Sequence, residues 1–306
     1  MADGGYAVAM LRSQSSIAFA VATLGIATYA VMDAFMKGLS ITSGAYSAVL
    51  WRSLAGAALT GTIFLVRGNA WPEHEALKLH AMRGLAAGAS VLLFFWGLVR
   101  VPMAQGVALT FLAPLIALYL AAAMLGERIR RAAILGSAIA SIGVFVIAWG
   151  QAKAGASTDT LMGSGAIILA SFLYGYSLVL LRKQAQLADP VEVTLFTGGV
   201  IGVLMLIGAP WFAMMPTVAQ LPAIGAATLL GTFSAAALAW AYGKAEAQIL
   251  APVEYTAFLW AAMLGWLVFG EHVSRYTVVG AGLIIAGCLA AIRGTAAPAP
   301  QTEAAA

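Results

Sequence analysis

Charge is what this sequence has least of. Of its 306 residues, 9% are Asp, Glu, Lys or Arg, where a soluble domain carries about 25%. Twelve acids and sixteen bases cannot give a 31.5 kDa globule a solvated surface, which excludes a soluble protein. Cysteine is almost missing as well. The single Cys288 allows no internal disulfide and no cysteine metal cage; inside the last apolar run it reads as a small packing residue. The three histidines, His74, His80 and His272, fall in loops or at helix ends and form no metal-binding pair. There is no Walker A sequence, no Asp-rich magnesium motif and no G-x-S-x-G elbow. The sequence therefore points to no enzyme, and it asks for no metal or cofactor. A net charge of +4, spread over single bases, gives no nucleic-acid footprint. Residues 1–15 hold one base, Arg12, and no cleavage pattern follows, so the first apolar run reads as a retained helix and not a signal peptide.

What is abundant is apolar. Hydrophobic residues make up 62% of the chain, and the mean hydropathy is +0.93. The runs are continuous, not the alternating segments of about ten residues that build a membrane β-barrel. A bilayer core needs about 20 apolar residues per helix. Ten such runs are present, at 16–37, 44–66, 77–99, 102–125, 131–150, 161–182, 190–212, 219–241, 247–269 and 275–293. The expectation is an all-α integral membrane protein of ten transmembrane helices, with a cytoplasmic N-terminal segment 1–15 and a disordered Pro/Ala-rich tail 294–306. An inside N-terminus puts Arg12, Arg67, Lys78, Arg83, Arg128, Arg130, Arg131, Arg182, Lys183, Lys244 and Arg293 on the inner side, eleven bases in all. The outer side then has four, Lys37, Arg100, Lys153 and Arg275. That bias orients both termini to the cytoplasm, in a bacterial inner membrane.

The chain also aligns with itself. At an offset of 144, Trp96–Gly150 lies on Trp240–Gly294 without gaps, with eleven identities in 55 positions. The informative ones are Gly126-Glu127 on Gly270-Glu271, Arg131 on Arg275, and Gly136, Gly143 and Gly150 on Gly280, Gly287 and Gly294. An offset of 145 puts Tyr29 on Tyr174 and Lys37 on Arg182. The repeats are expected at 16–150 and 161–293, joined by an outer loop 151–160. Five helices per copy is an odd number, so the second copy must be inverted relative to the first. Inverted repeats characterise secondary transporters, in which two similar halves expose a midplane site alternately.

Two five-helix copies, each with a Gly-Glu pair between its fourth and fifth helices, resemble the EamA type of the drug/metabolite transporter superfamily. The resemblance spans residues 15–294. It is carried by Pro114 with Leu125-Gly126-Glu127-Arg128, and by Ala251-Pro252 with Phe269-Gly270-Glu271-His272. Within the superfamily the chain resembles the YddG-like aromatic amino-acid exporters. Copy two carries its proline at 252 and has Phe258 opposite Pro114, so the two halves are expected to bend differently.

Several groups of residues follow as candidates. Arg52 and Glu254 lie about eight residues, or about 12 Å, into their helices, near the midplane, where a lone charge costs at least about 2.5–3.5 kcal/mol. Their repeat partners are Thr197 and Thr110. The four form either the floor of a substrate cavity, with Arg52 for a carboxylate and Glu254 for an ammonium, or, for the charged pair, a structural bridge. Trp51, Tyr29, Tyr174, Tyr255 and Phe258 offer an aromatic lining. Pro114 and Pro252, interior to helices, are hinge candidates; Trp96 and Trp240 are gate or interface residues. Glu127 and Glu271 read as helix-start carboxylates favoured by the dipole, and Gly136, Gly143, Gly280 and Gly287 as close-packing positions. Asp33 and Lys37, spaced i, i+4, read as a local pair or, for Asp33, as a proton-coupling carboxylate.

The resulting expectation is an alternating-access exporter of amino acids, aromatic or neutral ones favoured, working on a small-molecule substrate within membrane lipid. A multidrug or other metabolite exporter is the alternative within the superfamily. A channel is the alternative from another class, and the scarcity of polar residues per helix counts against it. The oligomeric state is not legible.

Overall fold

The computed structural model describes residues 3–68, 70–125, 131–184, 187–242 and 253–293. Among the described residues the fold is wholly helical: α1 (Asp3–Val66), α2 (His74–Leu98), α3 (Met103–Thr110), α4 (Ala113–Leu125), α5 (Arg131–Lys153), α6 (Thr158–Gln184), α7 (Pro190–Phe212), α8 (Leu221–Tyr242), α9 (Ala257–Phe269) and α10 (Arg275–Arg293). Seven stretches are long and apolar enough to cross a membrane, and α9 and α10 contribute shorter apolar helices. The ten expected spans therefore do not map one to one. The tail 294–306, Glu127 and Pro252 lie outside the described residues. At the other end, helix already begins at Asp3, ahead of the expected start at residue 16.

The first two expected spans are one helix, α1, with no intervening loop. Its apolar part, Ile17–Val66, has 50 residues, roughly 75 Å of α-helix and more than twice a bilayer core. It is broken at one residue, Gly44, with φ 80° and ψ 148°, a conformation open to glycine alone. The break folds the two limbs back on each other. Met32 of the first limb and Arg52 of the second both approach Gly231 of α8, within 3.5–3.6 Å of where its Cβ would stand, although twenty helical residues would separate them by about 30 Å if the helix ran straight.

α3 and α4 form one span broken at Phe111–Leu112, where i→i+3 bonds (Phe111 N to Ala108 O and Leu112 N to Leu109 O, both 3.3 Å) replace the α pattern. Pro114 accounts for this. Its ring excludes the carbonyl four residues back, that of Thr110, and it stands in the first turn of α4, where its missing N–H is not needed. In the second copy the matching turn is Tyr255–Thr256, and α9 starts at Ala257, 144 residues after Ala113. A turn therefore stands at the matching place in both copies. Without a proline at this position, Thr256 produces the same turn, its hydroxyl and amide both taking the Val253 carbonyl at 2.6 and 3.0 Å in competition with the helical bond. The equivalent residues Phe111 and Tyr255 meet edge-on, ring centroids 5.2 Å apart at 85°.

α5 and α10 pack along the expected glycines. A Cβ on Gly143 would stand 2.5 Å from the Gly280 carbonyl oxygen, one on Gly280 2.6 Å from that of Gly143, and one on Gly287 would strike the Gly136 carbonyl. Partner numbers rise along one helix as they fall along the other, so the helices are antiparallel. The pair 136·287 becomes the pair 280·143 when each residue is exchanged for its repeat equivalent. That reciprocity is the mark of a two-fold relation.

Candidate functional site

Polar side chains from six helical segments converge at the centre. Tyr29 and Asp33, one turn apart on the first limb of α1, face Arg52 on the second limb: the charges of Asp33 and Arg52 interact, and Tyr29 lies within electrostatic reach of both and of Arg83 on α2. Tyr174 of α6 is within reach of Tyr29, Asp33, Arg83 and Glu254. Arg83 donates from Nη1 to the Thr197 hydroxyl at 2.6 Å, and Thr197 in turn donates to the Val193 carbonyl on α7. These groups are deep in the bundle yet keep accessible surface, Tyr174 as much as 47%. The Nε atoms of Arg52 and Arg83 are buried with no hydrogen-bond partner. Among the described residues, the acid–base pairs are Lys37–Glu271, Lys78–Glu75, His80–Glu192 and Arg100–Asp159, and the charge that acts on Arg52 is that of Asp33.

Other expected site residues are placed elsewhere. Trp51 donates its indole N–H to the Met214 carbonyl at 2.8 Å, which ties it to the segment between α7 and α8. Tyr255 is buried at the two-fold contact with Phe111, whose carbonyl accepts from the Cys288 thiol at 3.2 Å. Phe258 packs against the core beside it, and Thr110 closes α3, its hydroxyl on the Val107 carbonyl at 2.7 Å. Trp96 is covered by the Arg100 guanidinium, 3.6 Å from the ring centroid; Trp240 is 44% exposed. Of the expected aromatic lining, Tyr29 and Tyr174 reach the polar centre, and both carry hydroxyls.

Arg83 was counted among the inner-side bases. It stands nine residues into α2, about 13.5 Å from the helix start, and belongs to the centre. A charge inside a 25-residue apolar helix was the available signal. His80, one turn earlier, is likewise not at a surface end. It is 1% exposed, hydrogen-bonds Glu192 through Nε2 at 2.9 Å and Gln184 through Nδ1 at 2.7 Å, and stacks on Phe196.

Lys37 and Glu271 also depart from expectation. Lys37 pairs with Glu271 and not with Asp33; it is 2% exposed and also donates to the Val101 carbonyl at 2.9 Å. Glu271 accepts the Met103 amide at 2.7 Å, so its carboxylate caps the start of α3, not that of its own helix. The favourable anion-to-N-terminus interaction is made across the fold. Two apolar grooves mark the flanks, one between α1, α8 and α9 (Val31, Phe35, Leu39, Leu264, Val268), the other between α1 and α7 (Phe64, Trp71, Phe196, Val200). Neither contains a residue of the polar centre.

A bundle of apolar, membrane-length helices with charged groups held at its core is the build of a multi-pass membrane protein. The chain belongs to the EamA-like transporter family, whose model matches residues 16–149 and again 161–293. It is 26% identical over 280 residues to a pseudopaline exporter of Pseudomonas aeruginosa, covering 89% of this chain and 95% of that protein. It is 24% identical over 280 residues to a riboflavin transporter of Brucella anthropi, covering 87% and 94%. A protein of known crystal structure shares the fold with a TM-score of 0.58 at 22% identity, covering 92% of this chain and 99% of its own.

Proposed function

We propose that this protein is a secondary transporter that exports amino-acid-type metabolites across a bacterial inner membrane by alternating access, with ten crossings arranged as two inverted five-helix repeats and both termini cytoplasmic. The observation that carries the reading is the polar centre, built by both copies: Tyr29, Asp33, Arg52 and Arg83 from the first, Tyr174, Thr197 and Glu254 from the second. Arg52 receives the substrate carboxylate in a planar fork; Asp33 and Glu254 receive the ammonium. The antiparallel α5–α10 seam supports inversion, because only a two-fold axis lying in the membrane plane relates equivalent helices running in opposite directions. Export is supported by the named activity of the pseudopaline exporter. The preference for aromatic side chains rests on Tyr29 and Tyr174 alone, so we place the selectivity in the charged groups.

Purified protein in sealed proteoliposomes tests this. A labelled amino acid should accumulate against its gradient or exchange with internal substrate, and Arg52→Ala and Glu254→Ala should each abolish transport while the protein still folds. Passive equilibration without exchange would indicate a channel; transport of cationic drugs alone would reject the amino-acid reading. For topology, single cysteines at positions 128 and 274 in a Cys288→Ser background should react from opposite sides of intact cells.

A further inference from the structure

Of the three histidines, His74 and His272 are exposed. His80 is enclosed, 1% exposed, where α2 of the first copy meets α6 and α7 of the second. Its ring is held by side chains and not by backbone. Glu192 lies 2.9 Å from Nε2, and the amide nitrogen of Gln184 lies 2.7 Å from Nδ1. With that nitrogen donating, Nδ1 is an acceptor and the ring proton sits on Nε2, directed at Glu192. The imidazole is then neutral, and Gln184 Oε1 is buried without a partner. A half-turn of the amide puts Oε1 on Nδ1, a geometry that requires a proton there. The ring becomes an imidazolium between an amide oxygen and a carboxylate. Phe196 stacks on it at 4.8 Å and 15°, an aromatic face that favours a cation. The amide has one unmet atom in either orientation and so favours neither; the proton decides. A histidine that only packs needs one of these states, and this one is furnished for both.

The other charged groups on the elements packed here are Lys78 and Arg83 on α2, Arg182 and Lys183 on α6, Asp189 at the start of α7 and Arg67 past the end of α1. Lys78 takes Glu75, Arg83 takes the Thr197 hydroxyl, and Asp189 accepts the amides of Val191 and Glu192. Glu192 is the carboxylate set against the ring, and His80 is its basic partner among the described residues. One turn beyond His80 stands Arg83, whose partner Thr197 follows Glu192 on α7. The same contact between α2 and α7 therefore holds this cluster and one wall of the polar centre.

Resting on the transport reading above, we propose that His80, with Glu192 and Gln184, is a proton-binding site, and that the proton bound there is the coupling ion for transport. On uptake a proton from water bonds to Nδ1; on release it returns to water, and no other bond changes. Uptake turns the hydrogen bond between α2 and α7 into an ion pair, the stronger of the two. The joint between the copies is tighter with the proton than without it, which is how an ion biases two states of a carrier.

Because the chain has three histidines, a His74→Gln/His272→Gln protein isotope-labelled in histidine reports His80 alone by NMR, with no transport needed. The ring should pass from the Nε2–H tautomer to the imidazolium between about pH 5 and 8, the range in which imidazoles ordinarily change charge. A ring fixed in one form across that range overturns the proposal. In proteoliposomes a pH gradient should drive accumulation of labelled phenylalanine or alanine by the unaltered protein. His80→Gln should lose that accumulation while exchange of internal for external amino acid continues. Accumulation that still follows the pH gradient in His80→Gln overturns the coupling. So does an equal loss of accumulation and exchange in a folded variant, which would make the histidine structural. If neither amino acid moves in the unaltered protein, the transport reading falls and the coupling with it. The NMR titration, which needs no substrate, tells that result from a failure of the proton site.

Discussion

Among the described residues, Lys37 and the central arginines each meet carboxylates inside apolar surroundings, and the two places are finished differently. At Lys37 the ammonium is 2% exposed and is met by Glu271 and the Val101 carbonyl, while Glu271 also takes the Met103 amide. Every partner comes from the protein. At the centre Arg52 and Arg83 each keep a buried Nε without a partner, and their surroundings stay accessible. The same chemistry is complete in one place and left open in the other. A closed set of buried charges fastens helices together, whereas an open one spends folding energy to keep a place for something that is not part of the chain. On the proposed reading, the closed set fastens and the open one binds.

The comparison is most exposed at Lys37. Lys37→Ala leaves the Glu271 carboxylate among apolar groups and should cost about 3–5 kcal/mol of stability, seen as lost monomer yield and a lower melting temperature in detergent. Lys37→Met combined with Glu271→Gln should recover much of that loss; no recovery would mean the pair acts through something other than its charges. Next comes the seam. Gly143→Ala forces a methyl to 2.5 Å from the Gly280 carbonyl oxygen, and overpacking of this kind costs about 1–3 kcal/mol, read from the same melting curve. Arg52→Ala should lower the melting temperature less than Lys37→Ala does, because the Asp33 carboxylate it leaves behind is half-buried, while transport is lost. A large destabilisation there would make the centre a fastening like Lys37 and erase the distinction. The smallest effect belongs to Gly165→Ala in α6, where nothing stands within 4 Å of the added methyl. It should be neutral or stabilise by up to about 1 kcal/mol through helix propensity.

Much of the fold could be read from the sequence because hydropathy and periodicity are local. The apolar runs lie where helices form, and the offset of 144 locates the matching turns at Phe111–Leu112 and Tyr255–Thr256. Pro114 announces its break in sequence. Thr256 does not, since threonine breaks a helix only when its hydroxyl wins a carbonyl. The join between the first two runs was misread for a similar reason. Ser40-Ile41-Thr42-Ser43 looks like a turn in composition, yet it remains helical and the reversal is left to Gly44. In the site, Arg52 was legible because a charge eight residues into an apolar run is costly wherever the chain goes. Arg83 has the same property but was absorbed into a count of inner-side bases. The partner of Lys37 was not legible at all: Glu271 is 234 residues away, while Asp33 offered a plausible neighbour four residues off.

The glycine seam between α5 and α10 also sets a timetable for biosynthesis. Its two faces are separated by 144 residues of chain, and the second lies on α10. At about 5–20 residues per second, α5 is synthesised roughly 7–30 s before α10 exists to cover it. Throughout that interval the notches at Gly136 and Gly143 are open to lipid, and the first repeat is complete but unpartnered. Closure of this seam therefore waits for α10, and a ribosome that stops short of Gly280 leaves the notches of α5 in the membrane without their partner.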